Sequence, residues 1–151
     1  MCFAHSTGET DTETRRERNR MTSVLVVDDE DFLVDLYTEI LILNGYVIAG
    51  VAHDGEEALK KFTKANPRPD IIIMDNRMPV MSGLDALKAI ILLNPTQKVM
   101  FVSADVSIEA DARAIGALEF MTKPFSLSNL LEKLKHLSED GRTRPPGRDS
   151  P

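Results

Sequence analysis

One cysteine stands in 151 residues, and it is Cys2, at the very start of the chain. A lone thiol excludes an internal disulfide framework and any zinc site built on paired cysteines. No apolar run approaches the ~20 residues that a membrane-crossing helix needs. Positive charge is in the minority: Lys+Arg 18 against Asp+Glu 24 leaves a net charge of −6. That balance disfavours a protein held on nucleic acid by phosphate contacts. Neither G-x-G-x-x-G nor G-x-x-x-x-G-K-[ST] occurs, so two common glycine-rich phosphate cradles are missing. The first twenty residues lack the apolar central segment of a secretory signal. These absences predict a soluble protein of a reducing compartment, the cytoplasm being the default.

What is present is unevenly distributed. Residues 1–20 carry four acids (Glu9, Asp11, Glu13, Glu17) and four bases (Arg15, Arg16, Arg18, Arg20). Residues 139–151 carry three of each, with Gly141, Pro145, Pro146 and Gly147. Neither flank shows apolar periodicity, so both are expected to be flexible tails around a domain at 21–138. The six net negative charges then all belong to that domain, which is long enough to bury a proper core.

Within it, short apolar runs alternate with helical patterns. Ser23–Val27, Tyr46–Val51, Ile71–Met74 and Lys98–Val102 are nearly continuous apolar runs, which suits strands of a parallel sheet covered on both faces. A fifth, Ala117–Met121, holds Glu119 between apolar neighbours and suits an edge strand. Between them, Leu33, Leu36, Ile40 and Leu43 step by three and four until Asn44-Gly45. Ala58, Leu59 and Phe62 form a second helical face, with Glu56→Lys60 and Glu57→Lys61 paired on its wet side. Leu84, Leu87 and Ile91 form a third, and Ile108, Ala112 and Ile115 a shorter fourth. The last runs from Leu127 to Leu137 behind Ser126, a suitable N-cap. Five βα units in strict alternation predict an α/β fold, a doubly wound five-stranded parallel sheet with helices on both faces.

In such a sheet the site lies beyond the carboxyl ends of the strands. There the chain places Asp28-Asp29, Asp75, Ser103 and Lys123-Pro124. Crowded carboxylates repel one another and need a cation if all are to ionise. Oxygen ligands completed by water suit Mg²⁺, while a lysine and a hydroxyl suit a phosphoryl group, whose transfer is catalysed mainly by positioning and charge neutralisation. Singly, each residue has an ordinary explanation: Asp28, Asp29 and Asp75 as turn or cap residues, Ser103 as a cap for the helix near Ser107, Lys123 as a solvated lysine. Four strand ends supplying acid pair, acid, hydroxyl and amine leave those explanations little room.

The stretches Val26-Val27-Asp28-Asp29-Glu30, Met74-Asp75-Asn76-Arg77-Met78-Pro79-Val80-Met81-Ser82-Gly83, Ser103-Ala104 and Lys123-Pro124-Phe125 resemble the receiver domain of two-component response regulators. The likeness covers about Thr22 to Leu137. It implies a (βα)5 flavodoxin-like fold of strand order 2-1-3-4-5. It implies that Asp75 is the phosphoacceptor, attacking a phosphohistidine on a sensor histidine kinase or a histidine phosphotransfer domain. Asp29, Asp75 and the backbone carbonyl of Arg77 would bind Mg²⁺ directly, and Asp28 through water. Lys123 would pair with a phosphoryl oxygen, and Ser103 would move to bind it. Pro124 would follow a cis peptide bond, and Ala104 would leave access to the acid.

The resemblance further implies a switch through Ser103 and the aromatic position Phe120, whose ordinary reading is core packing. It implies an output surface on the fourth helix, fifth strand and fifth helix, with Ile108, Ala112, Phe120 and Lys133 as candidates. Arg77 and Asp105, each two residues past a site residue, are expected to tune the lifetime of the phosphoryl group. The short tail after the last helix predicts a stand-alone switch or relay shuttle, monomeric or dimerising on phosphorylation, with an unidentified protein target. Two rivals remain. One is a phosphorylation-independent adapter. The other is a haloacid-dehalogenase-type phosphatase, which wants a second acid where Arg77 stands.

Overall fold

The structure, a computed structural model, describes residues 21–140. Cys2, the expected extension at 1–20 and nearly all of the expected tail lie outside them. The elements in chain order are β1 (Ser23–Val27), α1 (Asp31–Leu43), β2 (Val47–Ala52), α2 (Gly55–Lys64), β3 (Ile71–Asp75), α3 (Gly83–Leu93), β4 (Lys98–Ser103), a 3₁₀ turn at Val106–Ile108 running into α4 (Glu109–Ile115), β5 (Glu119–Thr122) and α5 (Leu127–Asp140). The last helix therefore includes Glu139 and Asp140, which the sequence assigned to the tail.

All strands are parallel, in the order β2-β1-β3-β4-β5. Alternation along each strand splits the core in two. Leu25 and Val27 face one cluster with Phe62 of α2, Leu87 and Ile90 of α3 and Ala112 of α4. Val24 and Val26 face the other, with Val34, Tyr37 and Leu41 of α1 and Leu130, Leu134 and Leu137 of α5. Three helices thus cover one face and two the other, the expected doubly wound arrangement.

Side-chain caps start three of the helices, one of them at Ser126 as expected. Asp54 accepts the Glu57 amide at 2.8 Å, Ser82 that of Asp85 at 3.2 Å, and Ser126 that of Asn129 at 3.2 Å. The Glu56–Lys60 and Glu57–Lys61 pairs form, at 3.2 and 3.1 Å. One strand differs from the expectation of full coverage. β2 lies at a sheet edge, and of its residues only Ala52 is buried. Its register slips where Val24 and Leu25 pair with Ile48 and Gly50, and Lys61 donates to its Val51 carbonyl. A bulge and a lysine on the rim are ordinary protections for an edge strand that carries no charge of its own.

Candidate phosphoryl and metal site

Sheet register brings the acids together. Val27 pairs with Met74 across β1 and β3, so Asp28 and Asp75 emerge side by side from neighbouring strands. Asp75 in turn pairs with Val102, and Ser103 with Thr122, which places Ser103 and Lys123 one step beyond on the other side. Two further backbone bonds extend the ladders into the loops: Asp28 N–H to Ala52 C=O at 3.1 Å and Lys123 N–H to Ser103 C=O at 2.9 Å.

Asp28, Asp29 and Asp75 each offer a carboxylate oxygen within 4.8 Å of the others. Asp28 is 1% exposed and Asp75 6%, whereas Asp29 opens to solvent. The Lys123 ammonium lies 3.1 Å from Asp75 Oδ1 and 3.3 Å from Asp28 Oδ2. The other Asp28 oxygen accepts the Glu30 amide at 2.9 Å. Ser103 is buried, its hydroxyl accepting the Asp105 amide at 3.0 Å. The helix-starting cap assigned to Ser103 belongs instead to Asp105, whose carboxylate accepts the Ser107 amide at 3.0 Å. Arg77 is exposed, and its charge helps, after two hydrogen bonds from Ser107, to hold the Asp105 carboxyl below its usual range.

Burial, and then the charge of Asp28, pushes the Asp75 carboxyl up to about 6, with Lys123 pulling the other way. Burial alone would depress the Lys123 ammonium, but the carboxylates of Asp75 and Asp28 outweigh it and raise it. Beneath the site, burial pushes the Tyr37 phenol up to about 12, so it stays neutral. Two buried carboxylates with one lysine between them leave negative charge unbalanced, and a divalent cation fits that donor set: oxygen ligands, two buried and one open to water.

A pH dependence follows for the metal-free protein. The folded state holds the Asp75 proton more tightly than the unfolded chain, whose ordinary value is near 3.8. Stability from this group is therefore present below about pH 4 and lost as pH rises through 6, by on the order of 2–3 kcal/mol. Asp75→Asn should be more stable than the parent at pH 7, with an advantage that fades between pH 6 and 4 in denaturant titrations. Mg²⁺ affinity should fall about tenfold per pH unit below 6, as protons compete for the same carboxylate; calorimetric titration would show it.

The described residues match the response regulator receiver domain model over 24–135. The chain belongs to the response regulator receiver family. Among relatives of this receiver domain, the chemotaxis protein CheY of Thermotoga maritima is 37% identical over 118 residues, 77% of this chain and 97% of that one. Among solved structures, the CheX-CheY-BeF3-Mg complex of Borrelia burgdorferi superposes with a TM-score of 0.74 at 32% identity, over 77% of this chain and 88% of that one. The response regulator TrrA of Thermotoga maritima, in complex with Mg-BeF, gives 0.71 at 37% identity over 78% and 99%.

The other site expectations land variously. The Lys123–Pro124 peptide is cis. Ala104 is exposed beside Ser103. Phe120 is only 5% exposed and stacks on Phe101 with ring centroids 6.1 Å apart. Ala112 is wholly buried. Neither can present a surface in this state, which corrects their place among the output candidates: both side chains fill the gap between the sheet and α4. Ile108 is half-buried against the same cluster, and Lys133 pairs with Glu119 at 3.1 Å.

The role of two glycines was not legible in the sequence. Gly83 donates to Asn76 C=O at 3.0 Å and Gly55 to Met81 C=O at 3.0 Å, so the starts of α3 and α2 press directly on the loop behind Asp75. Gly83 appears in the sequence only as the end of a family-like stretch, and Gly55 carries no signal there.

Proposed function

We propose that this receiver domain is a phosphorylation switch in which the Asp75 carboxylate takes a phosphoryl group from a phosphohistidine of a sensor histidine kinase or histidine phosphotransfer domain. The observation that carries the reading is the clustering of three carboxylates within 4.8 Å of one another, two of which, Asp75 and Asp28, share the Lys123 ammonium at 3.1 and 3.3 Å. Asp75 is the nucleophile because it ends β3, the middle strand of the sheet, is ionised at neutral pH and is held by Lys123. Asp29, Asp75 and the Arg77 carbonyl would hold Mg²⁺ directly and Asp28 through water. The metal, when bound, neutralises charge on the transferring phosphoryl group.

Lys123 would pair with a phosphoryl oxygen of the acyl phosphate. The modification adds a charge of about −1.5 to −2, and the buried Ser103 hydroxyl, at the end of the neighbouring strand β4, is an uncharged donor that would answer it. Turning Ser103 toward the phosphoryl group gives up its bond from the Asp105 amide, which loosens the turn that leads into α4. Phe120, already packed inward on Phe101, would follow that loosening through packing alone, since phenylalanine cannot donate a hydrogen bond. The output surface would then be the face of α4, β5 and α5, read by a protein partner in the cytoplasm, by a monomer or a phosphorylation-dependent dimer. The domain assists its own phosphorylation and dephosphorylation rather than turning over a separate substrate.

Incubation with acetyl phosphate, followed by intact mass, tests the reading: one phosphoryl gain that requires Mg²⁺ supports it, and no gain alongside a receiver that does label refutes it. Arg77 and Asp105 flank the acceptor from two loops, where they set water access and local charge. Arg77→Ala and Asp105→Ala should each change the dephosphorylation rate severalfold, measured as loss of the phosphorylated mass after donor removal. Unchanged rates in both would remove them from the mechanism and leave Arg77 as a surface charge worth ~0–1 kcal/mol.

A further inference from the structure

Beside the acidic cluster, between α1 and the start of α5, lies a groove of about 390 Å³. Its walls are Leu33, Leu36 and Tyr37 on one side and Phe125 and Leu127 on the other, with the Tyr37 and Phe125 rings stacked 6.0 Å apart. Lys123 and Ala104 form the end nearest the site. The Lys123 ammonium is the one charged group in this lining, and the same ammonium reaches Asp75 at 3.1 Å. The groove is thus graded: polar where Lys123, held by Asp75 and Asp28, meets the phosphoacceptor, and apolar along the rest. Its size falls in the range of small-molecule sites, ~300–1,000 Å³. A molecule that spans both parts has a phosphoryl head for the Asp75 site and an uncharged, preferably aromatic body for the apolar walls.

We propose that the groove takes the apolar leaving group of a small acyl phosphate, so that Asp75 is phosphorylated faster by donors with an aromatic acyl group than by acetyl phosphate. The inference rests on Asp75 being the phosphoacceptor. In the step, a carboxylate oxygen of Asp75 forms a bond to phosphorus while the bond from phosphorus to the acyl oxygen breaks. The leaving carboxylate departs as an anion with the electron pair, so no proton, oxidant or co-reactant is required. Ala104 matters because it joins the two compartments: it follows Ser103 directly and lines the groove's inner end with nothing larger than a methyl group.

The probes are benzoyl phosphate and acetyl phosphate, each with Mg²⁺, and the readout is the second-order rate of phosphoryl gain by intact mass. Replacing methyl by phenyl and burying roughly 50 Å² of the added surface predicts about a tenfold preference for the benzoyl donor. Intrinsic reactivity differs between the donors but cancels when the benzoyl-to-acetyl ratio is compared among variants. The ratio should fall about tenfold in Leu36→Asn and persist in Leu36→Met. Leu127→Asn carries the same comparison should Leu36→Asn fail to fold. An equal ratio in parent and Asn variants overturns the proposal and leaves the groove to another occupant, such as a helix of a protein donor. Labelling by neither donor overturns it as well, but by removing the phosphoacceptor reading beneath it.

Discussion

Asp75→Asn is expected to take up no phosphoryl group from acetyl phosphate under conditions in which the parent gains one, with labelling down to background by intact mass. The reason is atomic. Asparagine keeps the volume and the packing at the end of β3 but replaces the attacking oxygen by a neutral amide. It also removes one of the three carboxylates that lie within 4.8 Å of one another. The loss should be accompanied by a gain in stability at neutral pH, because the buried charge facing Asp28 is gone. That pairing, lost chemistry with a firmer fold, separates removal of a nucleophile from simple unfolding. If Asp75→Asn still labelled, the acceptor would be another residue, and the adapter reading would have to be weighed again.

Gly83→Ala should be the most damaging single methyl group in the domain. A β-carbon there would lie 2.0 Å from the Asp75 carbonyl oxygen and 2.9 Å from the Asn76 α-carbon. Both are backbone atoms, so no side chain can swing aside. Either α3 lifts off the sheet or the backbone of the phosphoacceptor moves. A loss of at least about 3 kcal/mol is expected, a fall of roughly 10 °C or more in Tm for a domain of this size. Mg²⁺ affinity should drop with it, since the strand end that carries Asp75 is displaced. Gly45→Ala is the control. Its φ of +86° imposes strain, but its β-carbon would meet nothing within 4 Å, so only about 1–2 kcal/mol should be lost. Equal losses at both positions, measured by denaturant unfolding, would show that backbone conformation rather than close approach governs Gly83.

The contrast between those glycines marks where sequence reading reaches and where it stops. Strand and helix positions were legible because they depend on local patterns: β-branched runs, apolar steps of three and four, and the cap at Ser126. The α/β alternation then located the strand ends, and the acids, hydroxyl and lysine there named the chemistry. The strand order was not in the pattern. It came with the family likeness, and it is the order that puts β2 at an edge although its composition resembles that of β3. Likewise, Phe120 and Ala112 looked equally suited to a surface or a core, because a four-residue strand and a seven-residue helix carry too little periodicity to decide.

The sequence alone determined the five βα units, the acid-pair, acid, hydroxyl and amine set, and hence the class of chemistry. Only the tertiary structure decided which atoms meet: the register that sets Asp28 beside Asp75, the lysine 95 residues away that bridges them, the backbone contact at Gly83, and the groove between α1 and α5. Local patterns record how each residue suits its own strand or helix. Distances between residues far apart in the chain are set by pairing register and helix packing, and no single segment contains both partners.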